Sequence, residues 1–206
     1  MTTKEVSAGF LPLMEAFYTI QGEGAYQGHA AYFIRLAGCD VGCVWCDVKE
    51  SWNAGDHPTE SVDTMVAKAV ASKAKIAVVT GGEPAMYNLH ELTRQLQSSG
   101  LRTHLETSGA YALSGVWDWV CLSPKKFKPP VAAVYKQAHE LKIIVYNQSD
   151  LVWAASHAEK VWPGCALFLQ PEWSREKEML PLIIDYVKQN PQWRISLQVH
   201  KYMDIP

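Results

Sequence analysis

Several classes of protein are disfavoured by what the sequence lacks. It contains no apolar stretch of about 18 residues or more, so no membrane span is expected. It has no basic excess, because 19 Lys and Arg stand against 21 Asp and Glu and the formal net charge is −2. This balance argues against a dedicated nucleic-acid binder. The opening stretch MTTKEVSAGFLPLMEAFY lacks the long apolar centre of a signal peptide, which predicts a cytoplasmic location.

What is present is typical of a folded domain. The chain has 206 residues, of which 48% are apolar and 19% charged, values unlike those of a disordered chain. No low-complexity tract, linker or repeat interrupts it, so residues 1–206 are predicted to form a single domain. A chain of this length buries roughly 70% of its unfolded surface and needs no disulfide or metal merely to fold.

Short apolar runs rich in β-branched residues recur along the chain, with helically spaced segments between several of them. The runs predict strands over 31–37, 75–80, 101–106, 117–122, 141–146, 166–170 and 194–199. The helical spacing predicts helices over 61–72, 88–99, 150–159 and 174–189. This alternation is typical of an α/β fold with a mostly parallel sheet. Because a closed eight-unit barrel takes about 250 residues, we expect an open sheet or an incomplete barrel.

Polar or glycine-rich sequence follows five of the predicted strands. These segments begin at Cys39, Thr80, Glu106, Ser123 and Gln170. In parallel α/β folds, ligands bind at the carboxyl ends of the strands. The sequence therefore predicts an enzyme with its site at that edge of the sheet.

Three of the five cysteines fall within eight residues. Cys39, Cys43 and Cys46 form a C-x3-C-x2-C run, and an odd, clustered set is not typical of a disulfide framework. Three thiolates on one loop can hold an iron–sulfur cluster, and the missing fourth cysteine would leave one iron open for chemistry. Three free thiols or a structural zinc site are the competing interpretations. The candidate fourth zinc ligands are His29, His57, Cys121 and Cys165.

The cysteine spacing, with an aromatic residue before the last Cys, resembles the signature of the radical S-adenosylmethionine (SAM) superfamily. Further motifs resemble the 7-carboxy-7-deazaguanine synthase family within it. They are Ile20-Gln21-Gly22-Glu23-Gly24, Arg35, Trp45-Cys46-Asp47, Thr80-Gly81-Gly82-Glu83-Pro84, Glu106-Thr107-Ser108-Gly109, Ser123-Pro124-Lys125 and Gln198-Val199-His200-Lys201-Tyr202. In this order the motifs are specific, and the resemblance runs from about residue 13 to the end.

The resemblance implies an incomplete, TIM-like β/α barrel of the radical SAM type that carries a [4Fe-4S] cluster and binds SAM. It implies a lyase that converts 6-carboxy-5,6,7,8-tetrahydropterin to 7-carboxy-7-deazaguanine with loss of ammonia, as in queuosine biosynthesis. It further implies Mg2+, a homodimer, and a reducing partner that is flavodoxin-like or ferredoxin-like. Neither nucleic acid nor a membrane is expected as a partner.

The resemblance also assigns roles to individual residues. The cluster ligands would be Cys39, Cys43 and Cys46. The contacts to SAM would come from Trp45, Cys46, Asp47, Gly82, Ser123, Pro124, Lys125 and Gln170, with Glu106 as a further candidate. The contacts to substrate would come from Ile20, Gln21, Gly22, Arg35, Thr80 and the carboxylate of Pro206.

Structural alternatives stand beside these roles. Gly81 and Gly82 before Glu83-Pro84 are also the sequence of a tight turn that opens a helix. Arg35 lies in a predicted strand, where a buried charge is costly unless it is paired. A buried guanidinium there can grip the substrate carboxylate, whereas an exposed one needs no functional reason.

One position departs from the family pattern. Val48 follows Cys46-Asp47, where many family members carry a threonine whose hydroxyl contacts Mg2+. A valine side chain offers no oxygen, and Mg2+ requires oxygen ligands. Either substrate oxygens and water alone hold the ion, or another cation serves, or no cation is needed. We therefore predict a weaker Mg2+ dependence than in a threonine-bearing relative.

Two other functions remain open on the sequence. A radical SAM activase acting on a partner protein would share the cysteines and the Gly-Gly turn but should lack the set formed by Gln21, Arg35 and Pro206. A zinc-binding interaction module would use the cysteines structurally.

Overall fold

A nine-stranded sheet forms the frame of the computed structural model, which describes residues 9–206. The strands are β1 Phe10–Ile20, β2 Ala30–Leu36, β3 Thr59–Ser61, β4 Ile76–Gly81, β5 Arg102–Thr107, β6 Trp119–Leu122, β7 Glu140–Val145, β8 Ala166–Pro171 and β9 Trp193–Ile195. The helices are α1 Val62–Ala71, α2 His90–Ser98, α3 Ala132–Tyr135, α4 Ser149–Ala158, α5 Glu176–Gln189 and α6 Val199–Met203. None of these helices is long and apolar enough to cross a membrane.

The sheet runs in the order β3-β1-β2-β4-β5-β6-β7-β8-β9. Strands β2 and β4 to β9 are parallel, whereas β1 and β3 at one edge are antiparallel to their neighbours. Within the described residues no strand pairing joins β9 back to the other edge, so the barrel stays open. The predicted incomplete, mostly parallel barrel is confirmed.

The predicted elements are recovered with shifts of a few residues, with one correction. The run 194–199 was expected to be a strand throughout, but β9 ends at Ile195 and the chain turns into α6 at Val199. The apolar alternation there is overridden because the Val199 amide donates to the Gly22 carbonyl (3.0 Å), outside the sheet. Strands β1 and β3 and the short helices α3 and α6 were not predicted.

Two apolar clusters hold the helices against the outside of the sheet. The first joins α1 and α2 to β2 and β4 through side chains such as Leu36, Met65 and Leu92, all almost fully buried. The second joins α4 and α5 to β7 and β8 through Leu141, Ile183 and similar residues. Truncating one such leucine to alanine typically costs about 2–5 kcal/mol, so these clusters fix the strands whose ends carry the loops.

Helix α1 illustrates how local sequence sets an element. The Ser61 hydroxyl accepts a hydrogen bond from the Thr64 amide and caps the helix start. Met65, Val66 and Ala69 follow at helical spacing and are buried on one face. The helix therefore packs on the sheet in one orientation.

The inside of the barrel differs from its outside. An aromatic plug, which we define as Tyr26, His104, Trp119 and His139, lies toward the amino ends of the strands. The ring centroid of Tyr26 lies 4.4 Å from that of His104 and 5.0 Å from that of Trp119, and Trp119 stacks on His139 at 5.3 Å. Above the plug the inner face becomes polar.

Candidate active site

A cavity of about 290 Å³ opens at the carboxyl ends of the parallel strands and extends into the barrel. It brings together nearly all of the predicted site residues. Those that line it are Ile20, Gln21, Gly22, Arg35, Cys39, Cys43, Trp45, Cys46, Asp47, Thr80, Gly82, Glu106, Ser123, Lys125, Gln170 and Pro206. The exception is Pro124, which is buried in the wall of a neighbouring groove.

The three clustered cysteines are free thiols at this cavity. Burial raises the pKa of the Cys39 thiol and, to about 11, that of Cys43. Both are therefore protonated at neutral pH until a metal centre displaces the proton. No three His, Cys, Asp or Glu side chains of residues 9–206 already converge on one metal position. The three thiols must therefore rotate before they can bind one metal centre together.

The zinc interpretation finds no support among the candidate fourth ligands, because none of the four lines the cavity. The Cys121 thiol lies inside β6, 3.5 Å from a Glu140 carboxylate oxygen, and His57 Nε2 lies 2.7 Å from the Glu50 carbonyl. Among the described residues, the cavity thus offers three thiols and none of the four candidate fourth zinc ligands. That donor set fits a cluster with one open iron better than a closed tetrahedral zinc site.

The Gly-Gly turn is required by packing. At Gly81 the φ angle is 135°, and a Cβ there would lie 1.9 Å from the Leu36 carbonyl oxygen. A Cβ on Gly82 would lie 2.2 Å from the Gly38 carbonyl oxygen. The turn also opens a short 3-10 helix at Pro84, as the structural alternative predicted. The glycines therefore hold the end of β4 directly against the start of the cysteine loop.

Glu83 ties two of the predicted motifs together. Its buried carboxylate accepts hydrogen bonds from Thr107 Oγ1 (2.5 Å), the Ser108 amide (2.8 Å) and the Ala85 amide (3.0 Å). These contacts join the loop after β4 to the loop after β5. A buried carboxylate is tolerated here because its oxygens have donors.

Arg35 points to the cavity, and its side chain is 20% exposed. Its Nε donates to Glu15 Oε1 at 2.6 Å. Within residues 9–206 the two Nη groups donate to no protein acceptor, so they remain available to a ligand. The interpretation of Arg35 as a solvent-facing residue of no consequence is disfavoured.

Sequence reasoning missed the strongest electrostatic feature of the cavity, which is Lys142 on β7. Its ammonium group is almost fully buried, 2.6 Å from Glu23 Oε2 and 3.0 Å from Glu106 Oε2. Gln198 Nε2 donates to the other Glu23 oxygen at 2.8 Å. A lysine inside the apolar run LKIIVY was the available signal, because a buried cation needs partners.

These contacts set the charges. Burial alone would raise the pKa of Glu23, but the ion pair with Lys142 and the Gln198 hydrogen bond lower it to about 2. Burial alone would lower the pKa of Lys142, but the surrounding acidic groups, Glu106 and Glu23 among them, raise it well above its usual value. Burial raises the pKa of the neighbouring Glu140 carboxyl. The floor of the cavity therefore holds an ion triplet of Glu23, Lys142 and Glu106.

The C-terminal segment crosses the open side of the barrel. Thr19 Oγ1 donates to the Pro206 carbonyl oxygen (3.2 Å), which brings Pro206 to the cavity. Lys201 Nζ lies 3.4 Å from Asp47 Oδ2 beside the cysteine loop. Segments from both ends of the chain and the cysteine loop thus meet at one site.

Comparison with known proteins identifies the family. Residues 33–136 match the Radical SAM superfamily. The chain is 56% identical to the 7-carboxy-7-deazaguanine synthase of Flavobacterium psychrophilum, with 100% of both chains covered. The chain belongs to the 7-carboxy-7-deazaguanine synthase family of radical SAM enzymes. A synthase of this family from Synechocystis is 50% identical, over 94% of this chain and 93% of that protein.

A solved structure agrees with that family. The crystal structure of QueE from Escherichia coli matches with a TM-score of 0.83 and 28% sequence identity, covering 91% of this chain and 93% of that one. As a member of this radical SAM family, the chain is an enzyme that uses a [4Fe-4S] cluster and SAM. The zinc module and the activase are therefore set aside.

Proposed function

We propose that the chain converts 6-carboxy-5,6,7,8-tetrahydropterin to 7-carboxy-7-deazaguanine with loss of ammonia. The observation that carries this proposal is the single cavity at which three free cysteines meet the segments expected to bind SAM and substrate. When bound, the cluster and SAM supply a reducing electron and a carbon radical that can take a hydrogen atom from the substrate. The protein supplies binding, orientation and shielding from water.

We assign the cluster to Cys39, Cys43 and Cys46. Val41 and Ala110 pack against these cysteines in a small apolar cluster. Apolar packing limits the access of water to iron and sulfide and thereby tunes the potential of a cluster. The same shielding accounts for the raised pKa of the Cys43 thiol before metal is bound.

The SAM side of the cavity is proposed to lie between the cysteine loop and the turn after β6. Lys125 Nζ donates to the Ser123 carbonyl (2.7 Å) and to Ser123 Oγ (2.6 Å), which fixes that turn. Burial lowers the pKa of Lys125. The amide of Gly82 already donates to the Leu36 carbonyl, so the Gly82 carbonyl is the group offered to the amino group of SAM. We assign Trp45, Asp47 and Gln170 to the same ligand.

The substrate side is proposed to lie between β2, the Ile20-Gln21-Gly22 segment and Pro206. The free Nη groups of Arg35 suit the substrate carboxylate, because guanidinium and carboxylate pair bidentately. Gln21 Nε2 lies 3.4 Å from a Glu106 oxygen, which orients its amide. Thr80 is the last residue but one of the neighbouring strand β4. The carboxylate of Pro206 would accept N–H donors of the pterin ring.

We infer that Mg2+ is bound without a protein hydroxyl at Val48, which lines the cavity. The ion would be held by substrate oxygens and water, so activity should depend only weakly on the Mg2+ concentration. In the Val48→Thr variant the added hydroxyl should make activity depend more strongly on the Mg2+ concentration. Activity of chelated wild-type and variant protein, titrated with Mg2+, provides the measurement. A steep loss in the wild type, reversed by Mg2+ alone, would contradict the inference.

We also infer one domain over residues 1–206 and a homodimer in the cytoplasm. The continuous sheet of residues 9–206 supports the single domain. Light scattering of the anaerobic protein tests the assembly.

Anaerobic reconstitution tests the proposed function. We expect a brown protein with about four irons and four sulfides per chain. With SAM and reductant it should form 5′-deoxyadenosine only when 6-carboxy-5,6,7,8-tetrahydropterin is added, together with 7-carboxy-7-deazaguanine and ammonia. A colourless protein without an EPR signal after reduction would overturn the proposal. Deoxyadenosine formation that does not depend on the added pterin would overturn the substrate assignment.

A further inference from the structure

The first two strands bring a carboxylate to Arg35 from outside the cavity. Glu15 on β1 and Arg35 on β2 lie directly opposite each other in the antiparallel pairing. The Glu15 Oε1 oxygen accepts a hydrogen bond from Arg35 Nε at 2.6 Å. Arg35 is one of the described residues that line the cavity, whereas Glu15 is not. Any effect of Glu15 on a ligand in the cavity is therefore exerted through Arg35.

An irregularity in β1 creates this pairing. Leu13 lies opposite Leu36, and the next partners are Glu15 and Arg35. One residue of β1, Met14, is therefore extra, as in a β-bulge. Because side chains alternate between the two faces of a strand, the extra residue reverses the alternation. Leu13 packs in the first apolar cluster, outside the sheet, whereas Glu15 shares the face of Arg35. In a regular strand Glu15 would share the outer face with Leu13.

A stacked aromatic pair supports the same guanidinium. Phe17 lies opposite Phe33 in this pairing, and their rings stack with 5.5 Å between centroids. The Arg35 Cζ atom lies 5.8 Å from the centre of the Phe17 ring, within the range of a cation–π contact. Arg35 is thus held by a carboxylate at Nε and by an aromatic ring.

These contacts decide which donors of Arg35 face a ligand. A guanidinium carries five N–H donors in a planar fork and can bind a carboxylate through two of them at once. One such pair consists of Nε and a single Nη, and the other consists of both Nη groups. Because Glu15 occupies Nε, a ligand carboxylate must use both Nη groups. The Glu15 contact thus fixes the orientation of Arg35 and the way in which it can bind an anion.

We propose that Glu15 is a positioning residue that orients Arg35 for end-on binding of the substrate carboxylate through both Nη groups. The inference rests on the proposed function, which assigns that carboxylate to Arg35. An arginine side chain has several rotatable bonds, and ordering it during binding weakens affinity. Glu15 and Phe17 order it before the substrate arrives. The side chains of Arg35 and Glu15 are 20% and 45% exposed, so their ion pair should contribute little to stability.

The test measures the binding of two pterins to the reconstituted holoenzyme in the presence of SAM. 6-Carboxypterin carries the carboxylate, and 6-hydroxymethylpterin is a neutral analogue without it; calorimetry measures both. Glu15→Met removes the acceptor of the Arg35 hydrogen bond, whereas Glu15→Gln keeps an oxygen acceptor and removes the charge. The matched control is Glu91→Met, because Glu91 accepts a hydrogen bond from Arg94 Nε at 2.9 Å on helix α2, away from the cavity.

We expect Glu15→Met to bind 6-carboxypterin about fivefold more weakly than the wild type, because one long side chain must then be ordered during binding. Glu15→Gln should stay within about twofold of the wild type, since the hydrogen bond to Nε survives. The binding of 6-hydroxymethylpterin, the iron content and the thermal midpoint should not change. In turnover, Glu15→Met should raise KM for the carboxytetrahydropterin about fivefold and leave kcat unchanged. Glu91→Met should match the wild type throughout.

Several results would overturn the positioning role. One is equal or tighter binding of 6-carboxypterin by Glu15→Met, because the lost charge would then matter more than the lost orientation. Another is an equal loss of affinity for both pterins, which would indicate a general disturbance of the cavity. A third is Glu15→Gln binding as weakly as Glu15→Met. If Glu15→Met does not fold, Glu15→Asp, whose carboxylate is one methylene shorter, is judged by the same criterion.

Failure of the proposed function would look different. A wild-type protein that forms no product from the carboxytetrahydropterin, or that binds 6-carboxypterin no more tightly than 6-hydroxymethylpterin, would overturn the substrate assignment itself. Normal turnover by the wild type with an unchanged KM in Glu15→Met would overturn the role of Glu15 alone.

Discussion

The two ends of the barrel are built on opposite rules. The amino end holds the aromatic plug, in which the Tyr26 ring packs edge to face against His104 and Trp119. The carboxyl end is polar, carries the ion triplet, and is assembled from loops held by glycines and buried carboxylates. On β5 the plug residue His104 and the triplet residue Glu106 lie only two positions apart. One sheet thus provides a packed amino end and a carboxyl end that carries the site, and substitutions can perturb the two ends separately.

The largest effect is expected from removing a cluster ligand at the carboxyl end. Cys43→Ala should abolish product formation and lower iron content, because no other cysteine among the described residues lines the cavity beyond Cys39 and Cys46. Cys165→Ala is the matched control, since Cys165 is buried in the second apolar cluster. Iron analysis and mass spectrometry of the product provide the measurements. Full activity of the Cys43 variant would contradict the assignment.

The second-largest effect is expected from breaking the ion triplet at the carboxyl end. Lys142→Met leaves Glu23 and Glu106 without their cation, and breaking a buried pair in this way typically costs about 3–5 kcal/mol. We expect loss of about 3 kcal/mol in urea unfolding together with loss of activity. The double variant Lys142→Met/Glu23→Gln should regain much of the stability without regaining activity. If the double variant is fully active, the triplet has only a structural role.

A change in the plug should alter stability and spare the chemistry. Burial lowers the pKa of His104 to about 4 from its usual 6.5, so between these pH values the unfolded chain binds a proton that the folded chain does not. The free energy of unfolding should therefore fall by roughly 2 kcal/mol as the pH drops from 6.5 to 4.

His104→Phe tests this directly. The variant should lose that part of the pH dependence, which is measured by urea unfolding at several pH values, while its activity at neutral pH stays unchanged. His157, whose pKa burial also lowers to about 4, should leave a residual slope. An unchanged slope in the His104 variant would show that His104 does not titrate in this range.

The smallest effect is expected at the C-terminal segment. Residues added after Pro206 should raise KM for the pterin about tenfold, which corresponds to about 1.4 kcal/mol of lost binding. The thermal midpoint should not move, because Pro206 makes one exposed hydrogen bond, to Thr19. The same extension placed at the N-terminus serves as the control. Unchanged steady-state constants for the extended protein would refute a role for the Pro206 carboxylate.

The sequence was most informative where a pattern is local. The parallel strands are buried on both faces and read as apolar runs, so they could be predicted. Strand β1 could not, because its residues after Leu13 are at most partly buried and its pairing with β2 depends on a hairpin-like return through the turn at Gly24–Tyr26. The predicted strand at β9 was too long, because the end of β9 is decided by a contact with Gly22, which is distant in the sequence.

The site divides in the same way. The cysteines and the Gly-Gly turn are local motifs, so the cysteine spacing and the resemblance to the family indicated them. The ion triplet is not contiguous, since Glu23 and Lys142 stand 119 residues apart and only the fold reveals their pairing. Lys142 was recognisable as an unusual charge in a strand, but its partners were not. The pairing of charged residues that are distant in the chain is thus the part of the site that could not be predicted from a single sequence.

The contact of Gly82 with the backbone at Gly38 has a consequence for exchange of segments between relatives. A Cβ on Gly82 would lie within 2.9 Å of the Cys39 side chain, so the cysteine loop and the turn after β4 touch without any intervening side chain. A chimera that imports only one of the two would inherit a mismatched surface with nothing flexible to absorb it. The pair should behave as one cassette, transplanted together or not at all.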